Sequence, residues 1–261
     1  LIDISQKFMG GAFPEKNFDA FRKAVKDESN VWNHFAMNII NECDPRVIKN
    51  MLLALGLGAG VNGTKAVRAN REKYKCNIPF IILFDPTSAC NLHCKGCWSA
   101  EYGHRSNLSL DEMRSIVNQG TELGTHFYML TGGEPLIRKD DILTLCRENP
   151  DCAFLAYTNA TLVDRESVSY THLRAHDYRR GEGAYARTMA AMKLLREYGL
   201  LFGISVCYTS KNIPAVTSDE FIDLMIENGV RFGLYFNYMP VGHDAVPELI
   251  PSPEQRVHMY K

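Results

Sequence analysis

The chain has no apolar run long enough to cross a membrane. Its best candidate, Met51 to Val61, is broken by Gly56, Gly58 and Gly60, and a helical span needs about 20 consecutive residues. There is no charged start followed by an apolar core and a cleavage site, so no secretion signal is read. Net charge is scarce too, at −1, which argues against a polycationic surface built for nucleic acid. Lys65, Arg68, Arg71, Lys73 and Lys75 are basic together, and are read as a solvated helix face. A disulfide framework is also missing. Of 8 cysteines, three crowd between Cys90 and Cys97, while Cys43, Cys76, Cys146, Cys152 and Cys207 are scattered among apolar neighbours. A chain of 261 residues needs no such staples. The expected setting is a reducing cytoplasm, with one metal cluster and several ordinary core thiols. The chain starts at Leu1 and stops just as a helix begins before Lys261, so it is expected to be a fragment, truncated at its C-terminus.

A hydrophobic share of 46% supports an ordinary globular core. Residues 1–77 read as a helical region. Trp32, Phe35, Ile39 and Cys43 recur at helical spacing, and Asp44-Pro45 is a good helix start. Ile48, Met51, Leu52 and Leu55 form the next stripe, which Gly56 is expected to end. From residue 78 to 261 strands and helices alternate. Phe80 to Phe84 reads as a strand buried on both faces, and strands are expected at Phe127–Leu130, Ala153–Tyr157, Leu201–Tyr208 and Phe232–Tyr238. Ser109/Glu112 and Thr217/Glu220 read as capping boxes. Tyr185, Met189, Met192 and Leu195 mark a helix closed by Gly199. Such alternation argues for an α/β protein with a parallel sheet, open or curled into a barrel. The interval between Ala153 and Phe202 is almost two units long yet shows one clear helix. Val168 to Leu173 has strand composition, but the charged and imidazole groups after it make a poor buried end.

The chemistry lies in two loops. Cys90-Asn91-Leu92-His93-Cys94-Lys95-Gly96-Cys97 places soft thiolates four and three residues apart, a pattern that selects zinc or an iron–sulfur cluster. Three cysteines on a 4Fe–4S cluster leave one iron without a protein ligand, and an open position separates a catalytic site from a closed one. The alternative is a closed site completed by Cys76 or Cys146. Gly132-Gly133-Glu134-Pro135 follows the next strand. Its glycines allow close backbone approach, and its carboxylate accepts hydrogen bonds from an ammonium group. Gly58-Ala59-Gly60-Val61-Asn62-Gly63 fits a dinucleotide fingerprint in letters only, because the segment before it is helical; it is read as a flexible helix end. His104, His126 and His243 have no partner at ligand spacing along the sequence.

Both loops resemble those of the radical S-adenosylmethionine (radical SAM) superfamily, over about Phe80 to Gly242. The resemblance implies a partial (β/α)6 barrel, here preceded by a small helical region. It implies a 4Fe–4S cluster on Cys90, Cys94 and Cys97, and S-adenosyl-L-methionine held by Gly132, Gly133, Glu134 and Pro135. It adds Asn159, Arg179 or Arg180, Ser205 and Cys207 as further SAM contacts. The implied reaction is reductive cleavage of SAM to a 5′-deoxyadenosyl radical, which abstracts hydrogen from a substrate that the sequence does not name. The implied partner is an electron donor such as flavodoxin or ferredoxin. Two departures stand out. Gly96 occupies a position that is commonly aromatic, with Trp98 nearby. Ser169 to His176 replaces a helix and strand, and resembles translated sequencing-adapter DNA, so one barrel unit is expected to be defective.

Overall fold

A computed structural model describes residues 15–99, 105–164, 172–174, 180–241 and 245–260 of the chain, with residues 21 and 172–174 described by backbone alone. Two compact units divide it: Leu1–Ile82 with Arg114–Tyr128 and Asn149–Ala153, and Leu83–Met113 with Met129–Glu148 and Phe154–Lys261.

In the first unit, α1 (Glu15–Lys26), α2 (Val31–Glu42) and α3 (Pro45–Met51) come first, and Asp44 caps α3 by accepting from Arg46 N–H. The helix does not end at Gly56. It continues as a π-helical stretch, Leu52–Gly63, into α4 (Thr64–Tyr74). The glycines are therefore interior helix residues, and at Gly58 and Gly63 the reason is packing. A Cβ on Gly58 would lie 2.2 Å from the Asp151 carbonyl oxygen, and one on Gly63 would lie 2.5 Å from the Gly124 carbonyl oxygen. Gly124 itself stands at φ +102 against Gly63, Val67 and Ala66. Asn70 Nδ2 donates to the carbonyls of Glu122 and Leu123 at 3.3 and 3.1 Å. The basic residues of α4 are exposed, as the solvated-face reading expects. Tyr128 is fully buried and donates to the carbonyls of Val117 and Thr125; burial pushes its phenol up to about 12.

The strands are β1 (Ile81–Thr87), β2 (Phe127–Gly132), β3 (Ala153–Tyr157), β4 (His172–Arg174), β5 (Ile204–Tyr208) and β6 (Gly233–Asn237). They form one sheet in the order β1-β2-β3-β4 and a second of β5 and β6. The β3–β4 and β5–β6 pairs are parallel. Between the strands run α5 (Leu110–Leu123), α6 (Lys139–Glu148), α7 (Ala184–Glu197), a short α8 (Ile213–Val216) and α9 (Asp219–Glu227), with α10 (Pro253–Met259) last. No closed barrel forms among the described residues. Within the second unit Leu130, Ile142, Leu143, Leu145, Leu195 and Phe202 are almost wholly buried.

Several expectations need correction. β1 is not buried on both faces. Ile81, Leu83 and Asp85 are exposed on one face, while Phe84 and Pro86 are buried on the other, the alternation of a strand covered on one side. The second capping box does not form: Ser218, not Thr217, caps α9 by accepting from Phe221 N–H, and the Thr217 hydroxyl instead donates back to the Ile213 carbonyl. On α7 the buried set is Ala184, Thr188, Ala191, Met192 and Leu195, whereas Tyr185 is exposed. The box at Ser109/Glu112 is present in both directions. Of Val168 to Leu173, only the last two positions are described. They begin the three-residue β4, which pairs with β3 and, among the described residues, with nothing on its other edge.

Two glycines make opposite predictions for one substitution. Gly56 has nothing within 4 Å of an added Cβ, so Gly56→Ala should stabilise by about 0.5–1 kcal/mol by reducing the freedom of the unfolded chain. Gly63→Ala must push backbone aside and should destabilise by about 1–3 kcal/mol. Denaturant titration of both variants checks the signs. Insertion of a full helix–strand unit between Asn159 and Arg180 should raise the melting temperature, because a strand edge left unpaired inside a sheet leaves backbone groups unsatisfied.

Candidate functional site

The site is assembled at the carboxyl ends of β1, β2 and β3, all in the second unit. β1 ends at Thr87, whose buried hydroxyl donates to Asn107 Oδ1 at 2.5 Å and accepts from Ala89 N–H. Ser88 N–H donates to the Ser106 carbonyl and Ser88 Oγ accepts from Ser106 N–H, so the base of the cysteine loop is tied on both sides. The loop after β2 is laced to the same backbone. Gly133 N–H donates to the Thr87 carbonyl at 3.0 Å, and Glu134 N–H to the Ala89 carbonyl at 2.8 Å. A Cβ on Gly132 would lie 2.4 Å from the Thr87 oxygen, and one on Gly133 would lie 2.2 Å from the Ala89 oxygen. Gly132 also has φ +107. The close approach these glycines permit is therefore to the chain's own backbone.

Glu134 is 0% exposed. Its Oε1 accepts from Thr158 Oγ1 at 2.5 Å and from Leu136 N–H at 2.9 Å; its Oε2 accepts from Asn159 N–H at 2.7 Å. Burial raises its pKa, opposed by those three bonds and by the charge of Arg180. Arg180 Nη1 donates to the Asn159 carbonyl at 3.1 Å, and the Thr188 hydroxyl donates to the same oxygen. The Asn159 amide donates to Asn91 Oδ1 at 2.8 Å and reaches Cys90 Sγ at 3.9 Å, while Thr161 N–H and Oγ1 donate to its Oδ1. Asn91 Nδ2 closes the circuit on Thr161 Oγ1. Cys90, Glu134, Asn159 and Arg180 are thus brought into one network, while Pro135 is buried at the start of the short helical turn that follows Glu134. Asn91, Thr158, Thr161 and Thr188 belong to it and were not singled out from sequence. Thr158-Asn159 at the end of β3 was the available signal, since a polar pair closing an apolar strand faces whatever lies beyond it.

Cys90, Cys94 and Cys97 are all half-buried, and Cys97 N–H donates to the Cys94 carbonyl in the loop's turn. Burial raises the Cys90 thiol first, Leu92 N–H lowers it, and the charges of Glu134 and Cys97 raise it. Gly96 has φ +68, and an added Cβ would lie 2.5 Å from the Tyr238 hydroxyl. Tyr238, just after β6, is 2% exposed and fills the space beside Gly96, while Trp98 is half-exposed. Ser205 is the second residue of β5 and half-buried. No described hydrogen bond joins it to the Glu134 network. Cys207 is half-buried in the same strand, and its carbonyl accepts from Asn212. Arg179 lies outside the described residues, as do His104 and His243.

Comparison with known proteins gives the same class. The Radical SAM superfamily model matches residues 84–227, over half the chain, and the chain belongs to that family. An AdoMet-dependent heme synthase of Methanosarcina barkeri is 27% identical over 202 residues, 69% of this chain and 57% of the relative. A GTP 3′,8-cyclase of Photorhabdus laumondii is 42% identical over 90 residues, 32% of this chain and 28% of the relative. Among solved structures, Streptococcus suis SuiB bound to S-adenosylmethionine matches with TM-score 0.61 at 21% identity, over 76% of this chain and 50% of that one. Methylornithine synthase matches with TM-score 0.53 at 12% identity, over 92% and 74%. These likenesses carry the fold, a partial barrel. The chain spans between about two fifths and three fifths of the length of the first curated relatives. No helix among the described residues is long and apolar enough to cross a membrane.

The buried bond from Thr158 to Glu134 carries a pH prediction. A carboxyl whose folded pKa is raised stabilises most when protonated, and that contribution is lost as pH rises through the folded pKa. Thr158→Val removes the largest of the influences that hold the Glu134 pKa down, so it raises that pKa further. The variant should lose about 1–3 kcal/mol, and its deficit against the parent should be larger at pH 7.5 than at pH 5. Denaturant midpoints at the two pH values measure this; a deficit independent of pH would remove the ionised Glu134 from the explanation.

Proposed function

We propose that this chain is the SAM-cleaving core of a radical SAM enzyme, with residues 1–77 as a helical region before a barrel core of residues 78–261. The observation that carries the reading is the hydrogen-bonded circuit from the cysteine loop through Asn159 to Glu134. It ties a three-thiol loop to the ends of two further strands, where α/β folds gather their ligands. Cys90, Cys94 and Cys97 would hold a 4Fe–4S cluster, leaving one iron for SAM. That cluster, when loaded and reduced, supplies the electron that cleaves the SAM sulfonium to methionine and a 5′-deoxyadenosyl radical. The chain's own residues bind and orient, which is positioning catalysis.

A carboxylate has about four acceptor positions, and three on Glu134 are taken within the chain. The position left on Oε2, with the backbone of Gly132, Gly133 and Pro135, is assigned to the SAM ammonium. Arg180 is assigned to the SAM carboxylate, with Asn159 positioning both loops. Ser205 is assigned to the adenosine side. Tyr238 takes the packing place beside Gly96 that an aromatic neighbour of the third cysteine would fill. A low-potential flavodoxin or ferredoxin of the cytoplasm would deliver the electron. The relatives' names differ in substrate, so none is carried over.

Anaerobic reconstitution should load about four irons per chain. Alanine at Cys90, Cys94 or Cys97 should abolish the cluster absorbance, and alanine at Cys146 or Cys207 should leave it. Retained iron in Cys94→Ala together with loss in Cys146→Ala would reassign the ligands. Glu134→Gln should weaken SAM binding roughly ten- to a hundredfold, the range of a lost charge-assisted bond, with iron content unchanged. Equal affinity in variant and parent would take Glu134 out of the SAM site.

A further inference from the structure

At the opposite ends of β2 and β3 stands a second group of ligand-type side chains, in the first unit. His126 immediately precedes β2, and Asp151 and Cys152 immediately precede β3. His126 and Cys152 are buried, while the Asp151 side chain is 61% exposed. His126 Nδ1 lies 3.4 Å from Asp151 Oδ2 and 3.8 Å from Cys152 Sγ, and Cys152 Sγ lies 4.0 Å from Asp151 Oδ1. The separation between His126 Nδ1 and Asp151 Oδ2 is long for an ordinary hydrogen bond, since an N–H donor prefers its oxygen at about 2.9 Å. The separations from His126 Nδ1 to Asp151 Oδ2 and to Cys152 Sγ are near two edges of a coordination tetrahedron, and one ligand atom from each of the three residues lies within 4.8 Å of the other two. Bonds of about 2.0 Å to nitrogen and oxygen and about 2.3 Å to sulfur set N···O near 3.3 Å and N···S and S···O near 3.5 Å.

We propose that His126, Asp151 and Cys152 bind one divalent ion of the zinc class, with water in the fourth position. The donor set suits it: imidazole and thiolate are zinc's usual ligands, and carboxylate is a common third. Cys152 gives its thiol proton to solvent on binding, so thiolate and carboxylate together neutralise the ion's two charges. The scaffold is fixed on the apolar side. Gly63 packs its Cα near His126 Cδ2, and Gly58 lies against the Asp151 carbonyl. The adjacent strands hold the pieces together, since Ala153 N–H donates to the His126 carbonyl at 2.8 Å. The exposed Asp151 carboxylate leaves the ion a route in from solvent. Sequence spacing hides this group, because His126 stands a whole strand and helix before its partners.

The test uses iron-reconstituted protein, so that the loop cysteines are already occupied. The protein is incubated anaerobically with zinc alone, desalted, and assayed for zinc and iron by mass spectrometry. About one zinc per chain is expected, together with a higher melting temperature, because an ion that binds only the folded state stabilises it. Cys152→Ser and Asp151→Ala should each cut zinc at least roughly tenfold under the same wash and abolish the melting shift, with iron unchanged. Asp151→Ala removes an exposed side chain, so it tests the site without disturbing the core. Cys146→Ser should keep the zinc. Negligible zinc in the parent, or the same zinc in the parent and both variants, would overturn the proposal.

Discussion

A carboxylate with no exposure to solvent must find its hydrogen-bond donors inside the protein, because an unpaired buried charge costs several kcal/mol. Glu134 meets that demand with a hydroxyl from Thr158 and two backbone N–H groups, from Leu136 and Asn159. Those donors belong to two different strand ends, so satisfying one side chain fixes the relative placement of the loops after β2 and β3. Asn159, held by its own N–H, then turns its amide to Asn91 and Cys90. The position of the first cysteine thus follows from a charge that cannot be left alone. The glycines of the same motif serve that constraint, since any side chain at Gly132 or Gly133 would separate the loop from the Thr87–Ala89 backbone.

Local signals in the sequence were legible where one physical cause acts alone. β3 runs over the expected residues, Asp44-Pro45 starts a helix, and Gly124, Gly199 and Gly229 follow helix ends with positive φ. Error entered where the deciding partner is remote. Gly58 and Gly63 look like helix breakers because their cost is local, whereas their reason, the backbones of Asp151 and Gly124, is far along the chain. β1 looks wholly buried because Phe80 to Phe84 is apolar throughout, whereas one of its faces is exposed, and which face is covered is decided by elements remote in the chain. Thr217 and Glu220 have the letters of a capping box, yet the helix starts one residue later, after Ser218.

The site divides in the same way. The three cysteines and the Gly-Gly-Glu-Pro loop were legible because short spacing carries their chemistry. Thr158, Thr161 and Asn91 were not, because a threonine hydroxyl acquires meaning only from what it faces. The same blindness covered His126, which has no ligand neighbour in sequence and two in space. The interval after β3 is a different case. There a shortfall of one strand–helix unit was expected, and β4 pairs with β3 over three residues, with no strand on its other edge among the described residues.

The central claim is that the strand-end network presents a three-cysteine cluster with one iron open to SAM. Electron paramagnetic resonance of the reduced, reconstituted protein reads that iron directly. Adding SAM to the parent should change the shape and g-values of the cluster signal, because an amine and a carboxylate would then ligate the open iron. A spectrum of a reduced 4Fe–4S cluster that SAM leaves unaltered at saturating concentration would mean a closed cluster, and would contradict the account.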